Sequence, residues 1–90
     1  MSYRYWRYFI MIKLSTSHQL GQLLTARRKA LGLTQQEIAS RLGISQNRYS
    51  ELENQPAQLT VDRLLALAGV LGMDLTVLER PADPHFSSEW

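Results

Sequence analysis

The sequence predicts a mostly α-helical domain of four to five helices, followed by a C-terminal β-strand. Three observations predict it. Apolar residues recur at three- and four-residue spacing through most of residues 17–71, the period of an amphipathic helix. Ser or Thr precedes these runs as a candidate cap, and Gly32, Gly43 and Gly72 end three of them. Met73, Leu75 and Val77 then alternate with Asp74, Thr76 and Leu78, the period of a strand.

Each element follows in order. Residues 1–14 read as an N-terminal extension, flexible or a short strand, because Ile10, Ile12 and Leu14 alternate with Met11 and Lys13. Met11 offers an alternative start, which would make residues 1–10 an upstream extension. The first helix begins at Ser15, Thr16 or Ser17, with Leu20, Leu23, Leu24 and Leu31 as its inner stripe. Arg27, Arg28 and Lys29 lie in its last turns, where cations oppose the helix dipole. Thr34-x-x-Glu37 is a capping box for a second helix with Ile38, Ala39 and Leu42 inward. Ser45 caps a third helix from about Gln46 to Asn54, and Pro56 marks the loop after it. Thr60 caps a fourth, whose stripe is Val61, Leu64, Leu65, Ala68 and Leu71, widened by Leu67 and Val70. The domain therefore spans 15–72, the strand 73–80, and a flexible polar tail 81–90.

Composition narrows the classes. Ninety residues form one small domain with a modest core, which association would stabilise. With no Cys there is no disulfide framework, thiolate metal site or Cys nucleophile, and the chain suits a reducing cytoplasm. No apolar run approaches the roughly 18 residues of a membrane span. His18 and His85 stand beside no nucleophile or metal-ligand partner, so the expectation is no enzyme, no cofactor and no metal. Residues 1–48 carry eight basic side chains against Glu37 alone, a net +7. Residues 49–90 carry two against seven acidic ones, a net −5. The first half is fit to meet a polyanion, and the second is not.

Gln35 to Glu53, QQEIASRLGISQNRYSELE, is the informative stretch. Two short helices meet at Gly43, which suits a left-handed backbone turn. Ala39 is small where helices must approach. Ile38, Leu42, Ile44, Tyr49 and Leu52 can lock the pair onto the first and fourth helices, so that the leading side chains of the third can enter a major groove.

This segment resembles the helix-turn-helix of the Xre/Cro family of phage-type, lambda-repressor-like proteins. The Thr-Gln-x-Glu-Ile-Ala start, the Leu-Gly-Ile-Ser turn and the Leu-Glu end carry the likeness, which extends over roughly residues 17–72. Tyr49 departs from it, where Val or Ile is usual, and its hydroxyl is expected to reach a polar partner or solvent. The resemblance implies Gln46 and Asn47 as base readers, with Ser45 and Ser50 as short donors to bases or phosphates. It implies Gln35 as a phosphate contact at a helix N-terminus. Arg48 can read guanine or hold a phosphate, and its place one turn from Ser45 favours phosphate. Arg27, Arg28 and Arg41 are phosphate candidates for which a solvated surface role is an equal alternative. Glu53 is expected to make an intramolecular pair, and Glu51 no DNA contact.

A lone strand is unstable, so Met73, Leu75 and Val77 are expected to pair with their copies in a homodimer, or with the Ile10–Leu14 segment. The dimer implies a palindromic double-stranded operator. The fourth helix, the strand, a tail ending Glu89-Trp90 and the Lys13-Leu14-Ser15 lead-in are similar to HipB-like antitoxins. That likeness implies a repressor of its own operon with a HipA-like Ser/Thr kinase toxin as partner. Phe86 and Trp90 are then candidate anchors for a partner's pocket. Two alternatives remain open: a stand-alone regulator without a toxin, and a protein-interaction module using the Tyr- and Trp-rich N-terminus.

Overall fold

The computed structural model describes residues 11–81, and its regular elements are all helical. They are α1 (Ser17–Ala30), α2 (Gln35–Leu42), α3 (Gln46–Asn54), a 3-10 turn (Pro56–Gln58) and α4 (Val61–Val70). No described helix is long and apolar enough to cross a membrane.

The helix starts lie where local chemistry puts them. Thr16 caps α1, and it does so reciprocally: its hydroxyl accepts from the Gln19 N–H, and the Gln19 side chain accepts from the Thr16 N–H. Thr34 and Glu37 form the same box on α2. Ser45 and Thr60 cap α3 and α4 by accepting from the Arg48 and Arg63 N–H groups. Each side-chain cap satisfies a backbone donor that has no partner within its own helix. After α3 the chain makes a 3-10 turn, not the plain loop expected, because the fixed φ of Pro56 suits its first position.

The core is formed by Leu24, Ile38, Ala39, Tyr49, Leu67 and Leu71, with Leu20, Leu33, Leu42, Ile44, Leu59, Val70 and Met73 packed around it. Three expected core positions are corrected. In α4 the inner face is Leu64, Leu67, Ala68 and Leu71, whereas Val61 and Leu65 are exposed. The helix is apolar over more than one face, so periodicity alone does not choose the side that meets α1–α3. Leu31 is also largely exposed, because it is the C-cap residue of α1 and has left the helical face.

The expected strand is not formed within the single chain: among the described residues there is no strand. Met73 donates its N–H to the Ala68 carbonyl and packs half-buried against the core. Beyond it, Leu75, Val77 and Leu78 are exposed, Val77 to 94%. A strand is defined by a partner, and a single chain offers none here. Residues 11–14 form no regular structure, and Ile10 lies outside the described residues.

Candidate nucleic-acid interface

The α2–α3 junction turns on Gly43, the C-cap of α2, with φ 71°. The turn is closed by Gly43 N–H to the Ser40 carbonyl at 3.2 Å and Ile44 N–H to the Ala39 carbonyl at 3.0 Å. Arg63 of α4 reaches back, and its Nη1 donates to the Leu42 carbonyl at 3.0 Å. Ile38, Ala39, Tyr49 and Leu52 hold the inner faces of the two helices in the core. The first turn of α3 is thereby left facing outward.

Gln46 and Asn47 occupy that turn and are both exposed. Ser45 is exposed too, but its hydroxyl is engaged as the cap. Ser50 is half-buried. Arg48 is exposed, and its Nη1 is shared between Glu51 at 3.0 Å and Gln58 at 3.0 Å. Glu51 and Gln58 were not expected there. The three-residue spacing of Arg48 and Glu51 could have signalled the first partner, whereas the second depends on how the 3-10 turn folds back.

Behind α3 lies a buried polar cluster. Arg28 of α1 donates Nε to Glu53 Oε2 at 2.7 Å and Nη2 to Oε1 at 3.2 Å. Its Nη1 donates to the Leu33 carbonyl at 3.0 Å. Gln35, half-buried in the first turn of α2, donates Nε2 to Glu53 Oε1 at 2.9 Å. Burial works to raise the Glu53 carboxyl, but the donors from Arg28 and Gln35 outweigh it and hold the group below its ordinary value. The same carboxylate holds the Arg28 guanidinium above its ordinary value, against the opposing effect of burial.

This cluster revises two expectations. Arg28, proposed by resemblance for phosphate, is buried and committed to Glu53 and Leu33, so its charge is spent inside the chain. Tyr49, expected to find a polar partner or solvent, is fully buried, with its hydroxyl beside Glu53 and Arg28 but in no hydrogen bond of normal geometry. Burial pushes the phenol well above its ordinary value, and the neighbouring Glu53 carboxylate, as acceptor and as charge, adds to this. The intramolecular pair expected for Glu53 is present.

Of the remaining candidates, Arg27 is half-buried and donates Nε to the Leu71 carbonyl at 2.8 Å, closing the end of α4. Arg41 is exposed in the last turn of α2. Sequence reasoning assigned no role to Arg63 and did not point to Gln35 as a partner of Glu53. Neither the Arg63–Leu42 contact nor the Gln35–Glu53 contact has a local spacing signal. Phe86 and Trp90 lie outside the described residues.

Comparison with known proteins agrees with this geometry. A family model described as Helix-turn-helix matches residues 24–78. The chain is 38% identical over 64 residues to an uncharacterized HTH-type transcriptional regulator, y4dJ, of Sinorhizobium fredii (strain NBRC 101917 / NGR234), covering 71% of this chain and 83% of that protein. Among solved structures it resembles a chain of a HipB-O1-O2 complex, with TM-score 0.69 and 28% identity, covering 77% of this chain and all of that one. A structure titled MDT Protein gives TM-score 0.70 at 27% identity, covering 79% of this chain and all of that one. With the Gly43 turn, the capped third helix and these matches together, the chain belongs to the helix-turn-helix family of Xre/Cro type, a family of DNA-binding transcriptional regulators.

Proposed function

We propose that this protein is a dimeric repressor that reads a palindromic operator in its own promoter and is the antitoxin of a HipA-like Ser/Thr kinase toxin. The observation that carries the reading is the exposed first turn of α3, where Gln46 and Asn47 lead a helix fixed by the core. A side-chain amide can pair bidentately with adenine in the major groove. Gln35, Arg41 and Arg48 are the proposed phosphate contacts, with Arg27 behind them; Ser45 and Ser50 are shorter-range donors. Likeness to a chain of the HipB-O1-O2 complex supports the antitoxin assignment.

In this reading two copies associate through residues 73–80, with Leu75 and Val77 covered in the dimer. The two recognition helices are then separated by about 34 Å, one turn of DNA, or a multiple of it. Phe86 and Trp90 are proposed to anchor the toxin. The protein would act in the cytoplasm, on the nucleoid.

A gel-shift against the protein's own upstream DNA tests the first part. Wild type is expected to bind with steeply salt-dependent affinity, and Gln46→Ala with Asn47→Ala is expected to abolish sequence preference. Preference retained by the double variant would move base reading elsewhere. Co-purification with the product of a neighbouring kinase-like reading frame, lost on deletion of Phe86–Trp90, tests the second part. Operator binding without such a partner would leave a stand-alone transcriptional regulator.

A further inference from the structure

Between α3, the 3-10 turn and the start of α4 lies a cleft of about 120 Å³. Its floor is apolar: Leu52 is buried, and Ile44 and Leu59 are half-buried. Arg48, Gln58 and Arg63 line it as well, and among the described residues no acidic side chain does. Two guanidinium groups therefore share one small space over a floor that screens charge poorly. Glu51 pairs with Arg48 from outside the cleft, whereas Arg63 pairs with no carboxylate among the described residues.

Each guanidinium is fixed through one nitrogen. Arg63 Nη1 donates to the Leu42 carbonyl at 3.0 Å. Arg48 Nη1 is shared by Glu51 and Gln58, and Gln58 is steadied in turn by donating Nε2 to Gln55. The Nε and Nη2 groups of both arginines donate to nothing among the described residues. That edge of a guanidinium is the one that grips an oxyanion through two parallel hydrogen bonds. Size narrows the ligand. A water occupies about 30 Å³ in the liquid, so the cleft has room for about four oxygen-sized groups, one tetrahedral oxyanion. Pockets for larger organic ligands start at about 300 Å³. Arg48 belongs to the first turn of α3, so the cleft lies beside Gln46 and Asn47.

We propose that this cleft is a phosphate site in which Arg48 and Arg63 together hold one backbone phosphate of duplex DNA. The proposal deepens the DNA-binding reading above and rests on it. Arg63 thereby joins α4 to the DNA contacts, with its tie to Leu42 keeping the guanidinium in place. The contact is blind to sequence and fixes how α3 lies on the duplex.

The test uses Arg48→Gln, Arg63→Gln and both together in the full chain, with thermal unfolding of each free variant as control. Affinity is read over a range of salt for the protein's own upstream DNA and for random duplex of equal length. Each single variant is expected to lose about tenfold on both duplexes, the effect of one charge-assisted contact. In the double variant the slope of log affinity against log salt should fall by about 0.9 for each bound copy, one phosphate, whereas two separate phosphates would give about 1.8. Arg63→Lys keeps the charge and should keep the slope. In wild type the Arg63 Nε–H resonance should shift on adding random duplex. A slope change of two phosphates, a loss confined to upstream DNA, a loss tracking a lowered unfolding midpoint, or Arg63→Gln binding as wild type overturns the proposal while DNA binding stands. So does an Arg63 resonance that inorganic phosphate shifts and duplex does not. Wild type that binds neither duplex overturns both readings.

Discussion

Gly21 lies directly beneath the main-chain carbonyl of Glu53. A Cβ at residue 21 would stand 2.7 Å from that oxygen and 3.0 Å from Pro56 Cγ. The backbones of α1 and the end of α3 therefore touch, and this contact sets how far the recognition helix stands from the body. Gly21→Ala must push them apart. It is expected to destabilise the fold by about 1–3 kcal/mol, the usual cost of overpacking. Urea unfolding measures it, and an unchanged midpoint would show that α3 can move at no cost.

Gly43 behaves differently. A Cβ there meets nothing within 4 Å, so only the positive φ opposes a side chain. Gly43→Ala is expected to cost about 1–2 kcal/mol through the backbone alone. Gly43→Asn should cost less, since Asn tolerates the left-handed region. Equal losses for the two variants would mean that the turn itself is not the source of the cost.

Glu53 sets an acid limit. Its folded carboxyl lies below the ordinary value of 4.5, so below that pH the unfolded chain binds protons more readily than the folded one. The contribution is present above about pH 4.5 and is lost as pH falls through the depressed folded value. Stability measured from pH 7 to 3 should decline in this window, and the decline should shrink in Glu53→Gln. Glu53→Ala leaves Arg28 buried without its partner and is expected to cost about 3–5 kcal/mol at neutral pH. A pH profile identical in wild type and Glu53→Gln would remove Glu53 as its cause.

The exposed segment after Met73 makes a separate test possible. Val77 is 94% exposed, so Val77→Asp should leave the helical circular dichroism of the chain intact. Sedimentation is expected to give a dimer for wild type at micromolar concentration and a monomer for the variant. A variant that remains dimeric would move the interface away from residues 73–80.

Much of the fold is legible because helix ends are local chemistry. Thr34 with Glu37, Ser45 and Thr60 mark three starts within four residues of sequence, and the structure places the caps there. Gly43 marks the turn for the same reason. What sequence could not assign is what distance along the chain decides. Arg28 meets Glu53 across 25 residues, so its burial has no local signature and it reads as one more surface cation. Val61 and Leu65 match the helical period as well as Leu67 does, and only the position of α1–α3 leaves them outside. The alternation at residues 73–78 is genuine in the sequence, but a ladder needs a second strand. At the site, the exposed amides of Gln46 and Asn47 follow from capping and period alone, while the tie between Gln35 and Glu53 does not.

The two long-range arginine contacts have a consequence for how the molecule comes apart. Arg27 of α1 closes the end of α4 at Leu71, and Arg63 of α4 closes the end of α2 at Leu42. Loss of α1 therefore uncaps α4, and loss of α4 uncaps α2. At eight residues, α2 is too short to persist alone in water. Its amides are accordingly expected to exchange with deuterium only when the whole domain opens, so that the shortest helix reports the global unfolding event.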